Sequence, residues 1–248
     1  VLIGAKRPSG TLVHKIAVHP DHRRQGHGRH LLDSLGSKLA ILGPPRIVAE
    51  VPDTLAPACG LFDECGYVRE ALLTDYVLGR DENDPAVAQR CRPALTLRHA
   101  QGHPERSRGM SERGNAARVE GFVIPVTVDD LAANGLLGQD YPQTCWERSV
   151  ETLTARKDDI AGLAVASDER IEASILYIRA GARIEILFLR SFIDDEGARL
   201  ALLLARLGAG GVRFQKVHPA EISSEWLERL YFRPAGGHRL YAARARSG

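Results

Sequence analysis

The stretch HPDHRRQGHGRHLL, residues 19–32, holds four histidines (His19, His22, His27, His30), three arginines (Arg23, Arg24, Arg29), Gln25 and two glycines, Gly26 and Gly28. Three chemistries draw on such residues. A zinc site uses histidines three or four apart on one rigid helix. Here Pro20 breaks the first pair, two glycines separate the rest, and no cysteine or carboxylate is regularly spaced beside them. A nucleic-acid patch uses arginines interleaved with aromatic residues, and the stretch has no aromatic ring besides its imidazoles. A phosphate-binding loop accounts for more residues at once. Glycines without a Cβ let consecutive backbone N–H groups turn towards an anion. The first turn of a following helix adds unpaired N–H groups and a partial positive charge.

That reading requires a strand before the loop and a helix after it. LVHKIAV (12–18) alternates and is β-branched, which predicts a strand running into the loop. Leu31, Leu32, Leu35, Leu39 and Leu42 follow at helical spacing, and GPP (43–45) ends that helix. RIVAEV (46–51) predicts a strand, PACGLFDEC (57–65) a helix stopped by Gly66, and REALLTDYVLG (69–79) a strand pair or one long strand. VLIGAK at the start already reads as the middle of a strand, which suggests a missing upstream segment or a late start. After residue 120, helices are expected over 128–137, 144–157, 198–207 and 224–232. Strands are expected over 160–167, 170–180, 182–190, 212–217 and 238–245. The class is α/β, a sheet with flanking helices.

The residues V-H-P-D-H-R-R-Q-G-H-G-R-H-L-L (18–32) resemble the acyl-CoA signature of the GNAT superfamily of N-acyltransferases, and LFDECGY (61–67) is similar to its later helix-and-glycine-aromatic element. The resemblance implies that the backbone N–H groups of Gln25, Gly26, His27, Gly28 and Arg29 hold the pyrophosphate of acetyl-CoA, with Arg23, Arg24 and Arg29 adding formal charge. It also implies that Ile16, Ala17 and Val18 run beside the pantetheine. The implied reaction is direct attack by an amine on the thioester. A backbone N–H stabilises the oxyanion, a base removes the amine proton and an acid protonates the thiolate. The sequence departs from the family at the acid: the usual tyrosine is Phe62, which cannot donate a proton. The asparagine often found before it is Leu55. Tyr67 is the aromatic after the glycine, with packing as its simpler role. His14 is a candidate base because an imidazole changes charge near neutral pH, and an ordinary strand histidine is the alternative. Glu50 is a second candidate base or an exposed strand end.

The chain parallels itself. Residues 12–42 correspond to 182–207, and RIVAEVPDTLAPACGLFDECGY to VRFQKVHPAEISSEWLERLYF. Two GNAT-like units in tandem follow: a partial unit over 1–80, a flexible linker over 81–119, and a second unit over 120–246. Setting Leu31–Leu32 against Leu202–Leu203 places Asp194, Asp195 and Glu196 where the first copy has its loop. Carboxylates there repel a pyrophosphate, so the second unit is expected to be a degenerate partner that helps shape the acceptor cleft.

Composition narrows the partners. A net charge of +2 over 248 residues implies no polyanionic partner. The stretch from Arg98 to Arg118 has five arginines against two glutamates; its composition suits a solvated linker better than an RNA-binding arm. Cys59, Cys65, Cys91 and Cys145 form no C-x-x-C pair, which fits a reducing cytoplasm and neither a disulfide framework nor a zinc knuckle. No apolar stretch is long enough to span a bilayer. The sequence thus predicts an acetyl-CoA-dependent N-acetyltransferase using a small-molecule or peptide amine, with no metal. The alternative is a non-catalytic CoA-binding protein or decayed pseudoenzyme of the same fold.

Overall fold

The computed structural model describes residues 1–78, 122–137, 144–208 and 211–246. The expected linker over 81–119, and Cys91 within it, lie outside these residues.

The described residues build one ten-stranded sheet in the order β1-β2-β3-β10-β4-β9-β8-β7-β6-β5. The first half contributes β1 (Leu2–Lys6), β2 (Thr11–Ile16), β3 (Arg46–Pro52) and β4 (Val68–Leu78). Helices α1 (His27–Leu42) and α2 (Ala56–Glu64) lie between these strands in sequence. The second half contributes β5 (Phe122–Pro125), β6 (Ala161–Ala166), β7 (Ile171–Ala180), β8 (Arg183–Ser191), β9 (Gly211–Val217) and β10 (Arg233–Arg244). Its helices are α3 (Val128–Ala133), α4 (Val150–Ala155), α5 (Ala198–Arg206) and α6 (Ser224–Arg229). Among the described residues no helix is long and apolar enough to cross a membrane.

The halves do not sit side by side as closed units. Strand β10 enters the first half, antiparallel to both β3 and β4. Strand β4 in turn pairs antiparallel with β9 of the second half. Each half lends a strand to the other, so the hydrogen-bond ladder runs through the junction without an edge.

Packing follows the repeat. Val13, Leu32, Leu39, Ile47, Phe62 and Tyr67 form one core between the sheet and α1–α2, and Tyr241 of β10 completes it. The second half buries Leu200, Leu203, Leu204 and Leu227 against Ile184, Val212 and Phe214. Leu203 is 0% exposed, so truncating it to alanine would cost about 2–5 kcal/mol.

Of the two forms expected for 69–79, a strand pair or one long strand, Val68–Leu78 take the single strand. Two elements differ from expectation. The helix expected over 144–157 breaks at Ser149, whose side chain caps α4 by accepting from the Thr152 N–H; a single 3-10 turn, Trp146–Arg148, precedes it. The helix expected over 128–137 ends at Ala133, and Gly135 turns the chain at φ +70°. Two helix ends preserve the repeat more closely than their sequences do. Gly66 at φ +76° lets Tyr67 N–H reach Phe62 O, and Tyr231 at φ +66° lets Phe232 N–H reach Leu227 O. The glycine's role has passed to a tyrosine in a conformation that costs an L-residue roughly 1–2 kcal/mol.

Candidate acyl-CoA site

Parallel pairing between β2 and β3 is limited to Thr11–Ile47 and Leu12–Val48. Beyond that point the strands diverge, and the reason is visible on the other side of β2. Its ladder with β1 pairs Gly4 with Val13 and Ile3 with Lys15, leaving His14 as an inserted, unpaired residue. Such a bulge bends its strand. The split leaves β2 backbone groups without a strand partner.

Alternation decides which groups those are. Ala17 N–H donates to Val1 O (2.9 Å) and Ala17 O accepts from Val1 N (2.7 Å), so Ala17 faces β1. Ile16 and Val18 therefore face the split, and the Val18 carbonyl accepts from Arg23 Nε at 3.1 Å. Of the three residues expected beside the pantetheine, Ala17 is turned away.

The loop then folds into a concave turn. Pro20–His22 form a 3-10 turn, Gln25 Nε2 donates to Asp21 O at 3.2 Å, and Arg24 adopts φ +61°. Gly26 adopts φ +81° and serves as N-cap of α1, with no side chain capping the helix. Its carbonyl accepts from His30 N–H at 3.0 Å. The amides of His27, Gly28 and Arg29 belong to the first helical turn, whose N–H groups have no intrahelical partner. Gly26 is needed for its left-handed backbone, since an added Cβ would meet nothing within 4 Å. Gly28 is needed for a different reason: its Cβ would lie 3.1 Å from Leu61 of α2. Arg23, Arg24 and Arg29 are exposed around this turn, and Arg29 also reaches Glu64 at 3.6 Å. The result is a concave turn of free N–H groups and arginines beside an open strand edge, an arrangement whose chemistry suits an anion joined to an extended amide chain.

The four histidines are surface groups. His19, His22 and His27 approach one another only ring to ring, at 5.8 and 6.3 Å. Among the described residues the set of potential metal ligands within 4.8 Å of one another is Glu50, Cys145 and Glu147. There Lys216 Nζ already bridges the two carboxylates, at 2.8 and 2.7 Å.

The catalytic candidates separate clearly. His14 is exposed at the bulge, beside the split. Tyr67 is buried and packs edge-on against Phe62 at 5.1 Å; burial pushes its phenol up to about 12. Glu50 is not an exposed strand end: its side chain is 3% exposed, bonded to Lys216 and to the Trp146 N–H at 2.6 Å. Burial and the neighbouring Glu147 raise its pKa, against the pull of Lys216. Phe62, which stands where the family has its acid, stacks on Tyr241 at 5.4 Å. Tyr241 is 0% exposed and its hydroxyl donates to Cys59 O at 3.3 Å, so it is sealed from the split.

The second half repeats the backbone with different side chains. Strands β8 and β9 pair in parallel over Arg183–Gly211, Ile184–Val212 and Glu185–Arg213, then separate. The bulge recurs with Leu187 in the place of His14, and Leu187 is buried. Gly197 repeats the cap of Gly26 at φ +82°. The Asp195 carboxylate fills the turn, accepting from Gly197 N–H at 3.1 Å and Arg199 N–H at 3.0 Å. Arg199 clamps it at 3.0 Å while also binding Glu172 at 2.7 Å. One carboxylate of the acidic loop thus takes up backbone N–H groups at the start of its own helix.

These features match known proteins. Residues 2–69 match the acetyltransferase (GNAT) domain family. No curated protein sequence matches the chain. Its fold is similar to that of a tandem GNAT protein from the clavulanic acid biosynthesis pathway (15% identity, TM-score 0.59, covering 97% of this chain and 76% of that one). It is also similar to a GCN5-related N-acetyltransferase from Sphaerobacter thermophilus (15% identity, TM-score 0.60, 100% and 77%). A third is a GCN5-related N-acetyltransferase from Kribbella flavida (11% identity, TM-score 0.53, 96% and 82%). At such identities the likeness is one of fold. The chain carries the α/β fold of the GNAT acetyltransferases. The likeness to a tandem GNAT protein extends over nearly the whole chain, and the first half carries the glycine-capped turn at the start of α1.

What the loop motif did not disclose is the group of Glu147, Arg148 and Lys216 around Glu50. The internal repeat carried a signal for part of it, because RIVAEV over VRFQKV sets Glu50 against Lys216.

Proposed function

We propose that the chain is an N-acyltransferase that binds acetyl-CoA in its first copy and transfers the acetyl group directly to an amine. The observation that carries this reading is the contrast between the two turns: Gly26 caps an open turn beside a split strand pair, and Gly197 caps a turn filled by Asp195. In this reading the amides from Gln25 to Arg29 hold the pyrophosphate and Arg23, Arg24 and Arg29 neutralise it. Ile16 and Val18 present backbone groups to the pantetheine amides. His14, exposed at the mouth of the split, takes the proton of the attacking amine. Tyr67 and Glu50 are packing and ion-pair residues in this scheme, so the departing thiolate takes its proton from solvent. The test is thermal shift with acetyl-CoA, followed by acetylation of an amine panel. A shift lost in Gly26→Glu supports the site; no shift at millimolar ligand overturns it.

A second reading is a CoA-binding protein without catalysis. Phe62 in place of a proton donor favours it. Binding with no product across the panel would select it.

A further inference from the structure

The split between β2 and β3 has a closed end, and a residue of the second half stands across it. The ladder stops at Leu12–Val48. Successive side chains of a strand point to opposite faces. Val13 and Ile47 belong to the core under α1 and α2, so Leu12 and Val48 face the other side of the sheet. There they pack with Ala242, and the half-buried Trp146 lies against them. Groups of the first half hold Trp146 in place. Its N–H donates to Glu50 Oε1 at 2.6 Å, and its carbonyl accepts from Arg7 at 3.0 Å. The Arg7 guanidinium also covers the indole, 3.9 Å from the ring centroid. So clamped, the indole forms an apolar wall at the last rung of the ladder.

An anion at the glycine-capped turn, joined to an extended amide chain, leads along the open edge of β2 from Val18 towards Val13, roughly 15 Å of strand. Whatever that chain carries at its far end arrives at the Leu12–Val48 rung. We propose that Trp146 limits the length of the transferred acyl group: the space before the indole admits acetyl and excludes longer chains. On the acyl-CoA reading of the first copy, which this assignment presupposes, the second copy thus contributes a specificity-determining side chain. Glu50 then has a task beyond its ion pair, because it fixes the backbone that carries the wall.

Calorimetric titration of the intact chain with CoA, acetyl-CoA and hexanoyl-CoA tests this without turnover. The native chain should bind hexanoyl-CoA about ten-fold or more weakly than acetyl-CoA, since a fixed apolar wall discriminates even between single methylenes. Trp146→Ala removes the ring and keeps the main-chain bonds to Glu50 and Arg7. It should raise the affinity for hexanoyl-CoA relative to acetyl-CoA by about ten-fold. Trp146→Phe should fall between the two, and it carries the comparison if circular dichroism shows the alanine variant to be unfolded. Equal binding of acetyl-CoA and hexanoyl-CoA by the native chain overturns the proposal, as does an unchanged preference in folded Trp146→Ala. If CoA binds and only the discrimination is missing, the acyl-CoA reading stands and the role of Trp146 alone falls. If CoA itself does not bind, both fall together.

Discussion

Glu50 and Lys216 occupy equivalent positions of the two repeats and meet as an ion pair, with Nζ and Oε2 2.8 Å apart. Each lies on a strand that has just lost its parallel partner, β3 and β9 respectively. Lys216 is locked from both ends. Its backbone, at φ +51°, donates to Asp75 Oδ1 at 2.8 Å, and its carbonyl accepts from Arg148 at 3.0 Å. Its ammonium also holds Glu147 at 2.7 Å, and this outweighs burial to keep the Glu147 carboxyl below its usual range. A duplicated position has thus diverged into opposite charges that join the copies.

Breaking this pair should be costly in one direction and recoverable in the other. Lys216→Met leaves the buried Glu50 carboxylate without its cation and facing the part-exposed Glu147, and denaturant unfolding should show a loss of about 3 kcal/mol. Adding Glu50→Gln should return more than half of it, because no uncompensated charge then remains on β3. A double variant as unstable as the single one would show that the pair is not what joins the halves.

Asp195 acts as an internal anion. Asp195→Ala removes a helix cap and should lower stability by about 1–2 kcal/mol. The vacated turn should then accept an external anion: inorganic pyrophosphate at millimolar concentration should raise the melting temperature of the variant and leave the native second copy unaffected. The comparison is made in a Gly26→Glu background, so that the first turn does not respond.

The two glycines of the loop should fail differently. Gly26→Ala forces an L-residue to φ +81°, at roughly 1–2 kcal/mol, and should weaken acetyl-CoA because the turn relaxes. Gly28→Ala instead presses on Leu61. Its loss of stability, about 1 kcal/mol or more, should be recovered by Leu61→Ala, whereas Gly26→Ala should not be. Melting curves of the four variants decide this.

Alkaline pH should loosen the fold through two buried groups. Burial pushes the Cys145 thiol and the Tyr67 phenol each up to about 12. In the unfolded chain they ionise near about 8.5 and about 10. The folded pKa is the higher one, so their contribution is whole below the unfolded value and is lost as pH rises towards the folded one. Stability should fall by about 1.4 kcal/mol per pH unit for each group that has passed its unfolded pKa. Cys145→Ala should flatten the part of this slope that begins near pH 9.

Sequence alone determined the local structure around the loop. Alternation in TLVHKI, leucine spacing in α1 and the positions of Gly26 and Gly66 depend on neighbours a few residues away, so strand, turn and helix were all legible. The repeat was legible too, and with it the acidic character of the corresponding turn at Asp194–Glu196. Tertiary structure alone decided three things. It turned Ala17 towards β1, through a bulge that only the ladder reveals. It buried Glu50 against a lysine 166 positions away. And it set β10 between β3 and β4, which puts Tyr241 of the second copy against Phe62 of the first. Each is a contact between segments distant in sequence, specified by which surfaces remain unpaired once the local elements have formed, and no periodicity in the chain encodes that.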